Sequence, residues 1–293
     1  MPAPLLYADG LTKEYGGFRA LDTLDLSIAP GEVVGLLGPN GSGKTTALRL
    51  FLGFLRATAG RASIDGLDCW SDSVEVRKRV TYLPGELRLY DSMTGRQIVH
   101  FLGKLRGDTP GKEVDDLARR LDVDPDKKLT HMSSGMKRKV ALLTVLVPKV
   151  PLIILDEPTN TLDPTMRDEF IEQLKLAKAA GKAILFSSHV LQEVEAVCDR
   201  VAILRKGQLV HLQGMEELRE ARRVRGVLTG GVPSRSPDDT PLSPESVTGG
   251  HLDLEHRGPL PELLAWLGGI GVTDLRIEPL GLGKIYRSFH AGG

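Results

Sequence analysis

The stretch GPNGSGKTT, residues 38–46, follows the apolar run VVGLL of residues 33–37. Glycines at this density are unfavourable in both helices and strands, so the stretch must serve another purpose. They let successive backbone N–H groups turn into one concavity that can bind phosphate oxygens. Gly38, Gly43, Lys44 and Thr45 fit the pattern G-x-x-x-x-G-K-[ST]. The pattern predicts a nucleotide-phosphate loop between a buried strand and a helix. The alternative is a flexible Gly-Ser turn.

Two side chains of this phosphate loop (residues 38–46) have expected chemical roles. Lys44 would reach the β- and γ-phosphates, and the Thr45 hydroxyl would bind Mg²⁺. The helix that follows adds the positive end of its dipole. The residues expected to contact the nucleotide here are Gly38, Pro39, Asn40, Gly41, Ser42, Gly43, Lys44, Thr45 and Thr46.

A second motif, LIILDEPTNTLD, occupies residues 152–163. Its apolar run delivers Asp156 and Glu157 to the end of a buried strand, where α/β sheets bind their ligands. A carboxylate there can bind Mg²⁺ directly or through water. An adjacent carboxylate can orient or deprotonate an attacking water. The pattern alone also fits an acidic turn; the phosphate loop earlier in the chain favours the metal and base roles.

Composition excludes several other classes of protein. The chain has 293 residues, with 38 basic and 38 acidic side chains and a formal net charge of zero. This balance gives no indication of a nucleic-acid partner, and we expect none. The two cysteines provide no disulfide framework and are typical of a reducing compartment. No stretch of sequence reaches the ~18 apolar residues of a membrane-spanning helix.

Hydrophobic patterning divides the chain into three regions. Residues 1–214 combine short N-terminal strands with apolar strands that alternate with helices, as in a mostly parallel α/β sheet. Residues from about 87 to 147 interrupt the alternation and read as an inserted group of helices. Residues 215–250 are predicted to be a linker or mobile segment, with a solvated mixed-charge helix face near its start. Residues 251–293 are predicted to be a small α+β appendage.

Four stretches of the sequence together resemble a known family. The stretches GPNGSGKTT, LIILDEPTNTLD, HMSSGMKRKV (residues 131–140) and FSSHV (residues 186–190) resemble motifs of the ATP-binding subunit of ABC transporters. The resemblance covers about residues 4–213. It implies a P-loop NTPase fold of ABC type, with an N-terminal antiparallel β subdomain and an inserted helical subdomain. It also implies ATP and Mg²⁺ as cofactors.

The resemblance implies roles for individual residues. Lys44, Thr45 and Asp156 would hold ATP and Mg²⁺, and Glu157 would be the catalytic base. His189 stands in the position of the switch histidine that contacts the γ-phosphate.

Other implied contacts lie at the adenine and at a dimer interface. Tyr15 matches the aromatic residue that stacks on adenine, although it also fits an ordinary core or turn position. Asp163 matches an aspartate at the dimer seam. In residues 132–136, the signature segment, Ser133 and Gly135 are retained, whereas Ser134 and Met136 replace the family's usual glycine and glutamine. This segment would face the γ-phosphate bound by a second subunit, or Ser133 would only cap the following helix.

A departure from the family occurs in YLPGE, residues 82–86. The family usually has a Mg²⁺-sensing glutamine where this chain has Gly85. Glu86 is the nearest candidate to replace it as a Mg²⁺ ligand. The alternative is that Gly85 permits a tight turn and that Glu86 is solvated.

The signature variant and the tail IEPLGLGKIYRSF (residues 277–289) are similar to drug-exporter ATPases of the daunorubicin type. The resemblance implies an ATPase that dimerises on ATP, as a homodimer, and powers a separate integral-membrane permease, with export favoured. The subunit would be cytoplasmic and peripheral on the inner face of the cell membrane. The alternatives are a non-transport ABC ATPase of translation or DNA repair, and a nucleotide-gated binding module with little hydrolysis.

Overall fold

The computed structural model describes residues 3–160, 162–230, 235–237 and 247–290. The chain forms two compact units, Met1–Gln213 and Gly214–Gly293. Parts of the predicted linker (231–234 and 238–246) and the end of the predicted appendage (291–293) lie outside the described residues.

A six-stranded sheet forms the centre of the first unit. Its strand order is β10-β9-β3-β8-β7-β6, and the pairs from β9 to β6 are parallel. The predicted α/β class is therefore confirmed. β3, β7 and β8 are buried along their whole length, which is why their sequences are continuously apolar up to the functional residues. The strands are β3 (Val33–Leu37), β6 (Val80–Leu83), β7 (Leu152–Asp156), β8 (Ala183–Ser188), β9 (Arg200–Arg205) and β10 (Gln208–Gly214).

A four-stranded sheet of order β2-β1-β4-β5 lies against the same core. β1 pairs antiparallel with β2 and β4, which confirms the predicted antiparallel subdomain. One buried cluster joins apolar side chains of both sheets to Leu48 and Phe51 of α1. The elements are β1 (Leu6–Tyr15), β2 (Phe18–Ile28), α1 (Lys44–Phe51), β4 (Ala59–Ile64), β5 (Leu67–Asp68) and α2 (Ser73–Lys78).

The inserted helices also form as predicted. Thr94 begins α3 with a reciprocal capping box, in which it accepts from the Gln97 N–H and its own N–H donates to the Gln97 side chain. α5 buries most of its length, including Val140–Val145. The helices of this region are α3 (Gly95–Arg106), α4 (Glu113–Arg120) and α5 (Ser134–Leu146), with a short 3₁₀ turn at Leu129–His131. α6 (Pro164–Ala179) and α7 (Leu191–Val197) complete the first unit.

In its described residues the second unit is a four-stranded antiparallel sheet with three helices. The strand order is β12-β13-β11-β14, and α9 covers a core that includes Val224, Leu254 and Leu263. The elements are α8 (Met215–Glu220), β11 (Ala221–Leu228), β12 (Val247–Thr248), β13 (His251–Arg257), α9 (Leu260–Ile270), β14 (Val272–Pro279) and α10 (Leu282–His290).

The predicted linker is wrong over residues 215–228, which form α8 and the central strand β11. The charges of Arg223 and Arg225 suggested a solvated helix face. In the folded sheet they alternate with buried Val224 and lie beside Asp253 of β13. Because a cross-strand partner accepts the charge, a strand can carry arginines along one face.

Candidate active site

The predicted site residues converge at one edge of the central sheet. The phosphate loop leaves β3, residues 82–86 continue from β6, Glu157 follows β7, and His189 follows β8. These four strands are parallel and consecutive in the order β3-β8-β7-β6. Their carboxyl ends therefore open at the same edge, where α/β sheets bind ligands.

The phosphate loop has the backbone form that its glycines allow. Gly43 has φ 106°, and a Cβ there would lie 2.8 Å from the Ala20 carbonyl oxygen, so only glycine fits this position. The first turn of α1 has no side-chain cap, which leaves its N–H groups available to an anion. Ser42 Oγ is buried and has no hydrogen-bond partner among the described residues. A loop with spare donors fits phosphate oxygens.

Lys44 is almost completely buried inside this loop. Its Nζ donates to the carbonyl oxygens of Gly38, at 2.6 Å, and Pro39, at 3.2 Å. The same nitrogen lies 3.3 Å from Glu157 Oε1. A buried ammonium with these partners can exchange them for phosphate oxygens without a large movement of the loop.

Thr45 and Asp156 form an all-oxygen pair at the end of β7. The Thr45 hydroxyl donates to Asp156 Oδ2 at 3.0 Å, and Ser187 Oγ donates to Asp156 Oδ1 at 2.7 Å. Asp156 is 4% exposed, so these hydroxyls fix a carboxylate in the interior. Hydroxyl and carboxylate oxygens are the ligands that Mg²⁺ prefers. This donor set fits the predicted metal site.

Glu157 has a backbone conformation that is unusual for a residue with a side chain. Its φ is 46°, in the left-handed region. Its N–H donates to Ser187 Oγ at 2.9 Å, and its Oε2 lies 2.8 Å from His189 Nδ1. Oε1 is buried and makes no hydrogen bond within the described residues, although Lys44 is close. Such strain persists where the surroundings over-determine a residue, which is typical of catalytic groups.

Comparisons with known proteins agree with this geometry. A family model described as ABC transporter matches residues 21–160. The ABC transporter ATP-binding protein NatA of Bacillus subtilis strain 168 is 36% identical over 211 residues, which are 70% of this chain and 86% of NatA. The daunorubicin resistance ATP-binding protein DrrA3 of Streptomyces coeruleorubidus is 34% identical over 216 residues, 72% of this chain and 68% of DrrA3. The chain belongs to the ATP-binding family of ABC transporters.

A solved structure supports the same assignment. It is described as the ATP binding subunit of an ABC transporter, and it superposes with a TM-score of 0.68 at 28% identity. The match covers 73% of this chain and 92% of that structure. The resemblance inferred from the motifs is confirmed, and with it the P-loop fold and the ATPase class.

In this ABC subunit the signature segment opens the 13-residue helix α5. Ser133 caps the helix by accepting from the Met136 N–H at 3.3 Å. Ser133 and Ser134 are both exposed, and a Cβ at Gly135 would meet nothing within 4 Å. Asp163 similarly caps α6 by accepting from the Met166 N–H, and it is exposed. Both helix starts therefore lie open at the surface of the subunit.

Tyr15 and Glu86 are among the predicted site residues that lie outside the cluster of Lys44, Thr45, Asp156, Glu157 and His189, which we call the catalytic cluster. Tyr15 ends β1 with 46% of its surface exposed, and Lys13 lies over its ring at 4.9 Å. The Glu86 side chain is 93% exposed and lies 4.0 Å from Arg88. The structure does not bring Glu86 to Thr45 and Asp156.

Gly85, in contrast, lies beside Asp156, the carboxylate of the predicted metal site. A Cβ built on Gly85 would be 3.9 Å from Asp156 Oδ2, an ordinary contact distance. Its φ is not in the left-handed region, so the backbone does not require glycine here. The position usually occupied by glutamine is therefore next to the predicted metal site, but this chain has no side chain there.

Sequence reasoning missed two buried charged residues next to the catalytic cluster. Arg138 is 3% exposed on α5, and Glu193 is 5% exposed on α7. Glu193 Oε2 accepts from the hydroxyls of Thr159, at 2.9 Å, and Ser188, at 3.0 Å. For Arg138 the sequence does contain a signal, its position in the helical repeat. It lies on the same face of α5 as the buried residues Ala141 and Val145. A charge in phase with an apolar stripe indicates a buried polar role.

The described residues contain no helix that is both long enough and apolar enough to cross a membrane.

Proposed function

We propose that this ATPase subunit binds Mg²⁺–ATP at the catalytic cluster, closes on a second copy of itself, and powers a separate membrane permease that exports its cargo. The observation that carries the proposal is the convergence of a buried lysine, a buried carboxylate held by hydroxyls and a strained glutamate at the end of one sheet. These are the parts that phosphoryl transfer to water requires.

Lys44 would act on the charge of the phosphates. Its ammonium bonds main-chain carbonyls of its own loop and lies near Glu157. Phosphate oxygens offer stronger, charge-assisted acceptors at the same place. The ammonium would therefore turn to the β- and γ-phosphates, where it also stabilises the charge that develops in the transition state.

Thr45 and Asp156 would hold Mg²⁺. In the described part of the chain, no group of three or more His, Cys, Asp or Glu side chains is placed to hold a metal ion. Mg²⁺ commonly takes only one or two protein ligands and completes its shell with phosphates and water. When bound, the metal would neutralise charge on the β- and γ-oxygens.

Glu157 would accept the proton of the attacking water. Its carboxylate is held from both sides, by Lys44 on Oε1 and by His189 on Oε2. Once the ammonium turns to the phosphates, Oε1 is free to receive a proton. His189 is half exposed and would contact the γ-phosphate while keeping Glu157 in place.

A second copy would complete the nucleotide site through the signature segment. The start of α5 is exposed and carries the positive end of the helix dipole. An anion supplied by another molecule is a suitable partner, and the γ-phosphate held by a second copy fits. Tyr15 on the adenine and Asp163 at the seam remain predictions from the family resemblance. Glu86 near the metal remains a prediction from its place beside Gly85.

The names of relatives support export. They include DrrA3 and the linearmycin resistance ATP-binding protein LnrL of Bacillus subtilis strain 168, which is 30% identical over 211 residues. A subunit that serves a permease would work at the inner face of the cell membrane. Co-purification from detergent-solubilised membranes with an integral-membrane protein is the direct check of that partnership.

The variant Glu157→Gln tests the proposed site. The amide keeps the shape of the side chain but cannot accept the proton of the water, so closure should occur without hydrolysis. We expect size-exclusion chromatography with Mg²⁺–ATP to show a shift toward the dimer, and we expect steady-state hydrolysis to fall by more than about 100-fold. The measurement is repeated with ADP, which should leave the variant monomeric.

An exposed carboxylate provides the matched control. Glu172→Gln alters a glutamate on α6 that is 56% exposed, and it should leave hydrolysis and elution unchanged. Hydrolysis at the wild-type rate in Glu157→Gln would refute the assignment of the base. Hydrolysis lost without any ATP-dependent dimer, with the permease present, would refute the dimer mechanism and favour a monomeric nucleotide-gated module.

A further inference from the structure

Arg138 is a buried cation whose acceptors are main-chain carbonyls. Its Nε donates to Pro158 O at 2.9 Å, and its Nη2 donates to Glu157 O at 2.9 Å. Its Nη1 lies 3.3 Å from Pro84 O and 3.5 Å from Gly85 O. Among the described residues no carboxylate lies within ion-pair distance of the guanidinium, and the charge of Asp156 acts on it from farther away. A guanidinium buried without an ion-pair partner needs a reason beyond stability.

The four carbonyls belong to two loops of the site. Pro84 and Gly85 follow β6, and Glu157 and Pro158 follow β7. The two strands are parallel neighbours, with Leu83 opposite Leu155, so the loops leave the sheet side by side. Arg138 enters between them from α5. A single side chain thus bridges the loop of the missing glutamine and the loop of the base.

The same helix begins at the signature segment. Arg138 lies five residues after Ser133, which corresponds to ~7.5 Å along the helix axis. Because α5 is a continuous helix, a displacement of its exposed start moves the guanidinium with it. Contact with a second copy at Ser133 can therefore shift the carbonyls of both loops through the guanidinium.

The contact to Glu157 constrains a residue that is strained. With φ at 46°, Glu157 stays in the left-handed region only if its peptide groups are held. Ser187 holds its N–H at 2.9 Å, and Arg138 holds its carbonyl. That carbonyl also accepts a longer bond from the Asn160 N–H at 3.3 Å. Without Arg138 the residue can relax, and its carboxylate would leave the place between Lys44 and His189.

We propose that Arg138 is a positioning residue for ATP hydrolysis, which holds the backbone of Glu157 and couples residues 84–85 and the signature helix to it. The proposal rests on the proposed function, in which Glu157 is the base. It also accounts for signal transfer through a loop that has glycine at the glutamine position. Gly85 has no side chain, but its main-chain carbonyl reaches the same guanidinium.

The fork geometry of arginine makes the proposal testable. Arginine presents five N–H donors in a fixed plane, whereas lysine presents three donors on one flexible nitrogen. Arg138→Lys keeps the charge and the stem but cannot reach both loops at once. Arg138→Gln removes the charge as well. If position is what matters, both variants lose turnover, and Lys does not restore it.

The experiment measures turnover and nucleotide affinity separately. In the full chain, Arg138→Gln should lower kcat by about 100-fold, the effect of a displacement of ~1 Å in a catalytic group. Arg138→Lys should lower kcat by a smaller factor. The KM for Mg²⁺–ATP and the affinity for a fluorescent ATP analogue should stay within twofold of wild type in both, since the arginine touches no nucleotide-binding side chain. If Arg138→Gln does not fold, Arg138→Lys alone decides the question.

Lys139→Gln is the matched control. This neighbour on α5 also donates to a carbonyl, that of Asp122 at 3.1 Å, away from the two loops. It should keep wild-type kcat. An Arg138 variant that lowers the melting temperature but retains wild-type kcat would overturn the proposal. Equal losses of kcat and nucleotide affinity would overturn it as well.

A double variant separates this proposal from the assignment of the base. If Arg138 acts through Glu157, adding Arg138→Gln to Glu157→Gln should not reduce the residual hydrolysis further. An additive loss would show that Arg138 acts by another route and would overturn the proposal. Wild-type hydrolysis in the single variant Glu157→Gln would instead overturn the proposed function, whatever the Arg138 variants do.

Discussion

Charged side chains at the candidate active site of the first unit and on the sheet of the second unit are held in opposite ways. In the first unit Lys44, Arg138 and Asp156 are each at most 5% exposed, and most of their partners are carbonyls and hydroxyls. In the second unit Arg223 and Asp253 are paired with each other at 2.7 Å on the surface of the sheet, 28% and 43% exposed. Similar residue types are thus buried among mostly uncharged partners at the candidate site of the first unit, and paired at the surface in the second unit.

This difference in burial separates charged residues that we expect to serve function from charged residues that only pair at the surface. Burying a charge carries a desolvation penalty of several kcal/mol, which an apolar side chain would avoid. Exposed pairs contribute about 0–1 kcal/mol and are screened by salt. Substitutions in the first unit should therefore act mainly on turnover, with large effects. Equivalent substitutions in the second unit should act weakly, and on stability alone.

The largest effect should come from Lys44→Ala. The substitution removes the only buried ammonium of the phosphate loop, so both nucleotide binding and the stabilisation of developing charge are lost. We expect the rate of Mg²⁺-dependent ATP hydrolysis, measured by the release of phosphate, to fall by more than about 100-fold.

Lys284→Ala sharpens the comparison, because Lys284 is paired with Glu255 at the surface of the second unit. It should keep the wild-type rate of hydrolysis. Comparable losses in the two variants would mean that burial does not distinguish functional lysines in this chain.

Sequence alone predicted most of this first unit, for identifiable reasons. The strands that end at the site are buried on both faces, so they appear as continuous apolar runs. The phosphate loop is visible because Gly43 must adopt a conformation that only glycine tolerates. Where only one residue type fits a local conformation, the sequence is enough to predict that conformation.

Other features depend on contacts that sequence does not display. Nothing local to Glu157 indicates its positive φ, which is held by Ser187 and Arg138 from distant parts of the chain. The sequence predicts a solvated segment over β11 because the carboxylates beside its arginines come much later in the chain. Asp253 lies beside Arg223 and Arg225, and Glu278 lies beside Arg225. The proximity of Gly85 to Asp156 also depends on the tertiary structure, because the two residues are far apart in the sequence.

An intermediate effect is expected at Glu193. Its Oε2 accepts from Thr159 and Ser188, which flank Glu157 and His189 in the sequence. Glu193→Leu leaves both hydroxyls without this acceptor in the interior, which should lower the free energy of unfolding by about 1–3 kcal/mol. Glu193→Gln keeps one accepting oxygen and should lower it less. Urea unfolding followed by circular dichroism provides the measurement.

Glu172→Leu is the control for Glu193→Leu. Glu172 is 56% exposed and paired with Lys175 at 3.5 Å, so its removal should change the free energy of unfolding by no more than about 0.5 kcal/mol. If the two leucine variants lose equal stability, the buried carboxylate has no special role. A greater loss in Glu193→Gln than in Glu193→Leu would also contradict the argument, because the acceptor would then be irrelevant.

The smallest effect should come from Asp253→Asn in the second unit. Hydrogen bonds from Arg223 hold the pKa of the Asp253 carboxyl below its ordinary value of 3.8. The carboxylate is largely solvated, so the pair should contribute only about 0.2–1 kcal/mol at neutral pH. Trp266 lies against the core of this unit, and a Trp70→Phe background makes its fluorescence report the unfolding of the unit.

The pH dependence of that difference has a defined sign. A carboxyl whose pKa is lowered in the folded state stabilises the protein above its unfolded pKa, and the stabilisation is lost as the pH falls through the folded value. The difference in unfolding free energy between wild type and Asp253→Asn should therefore be constant from pH 7 to about 5 and should shrink below 3.8. High salt should also reduce it, because Arg223 and Asp253 are exposed. A difference above about 2 kcal/mol that persists in high salt would show that this surface pair behaves like the buried charges of the first unit. The contrast between the two units would then not hold.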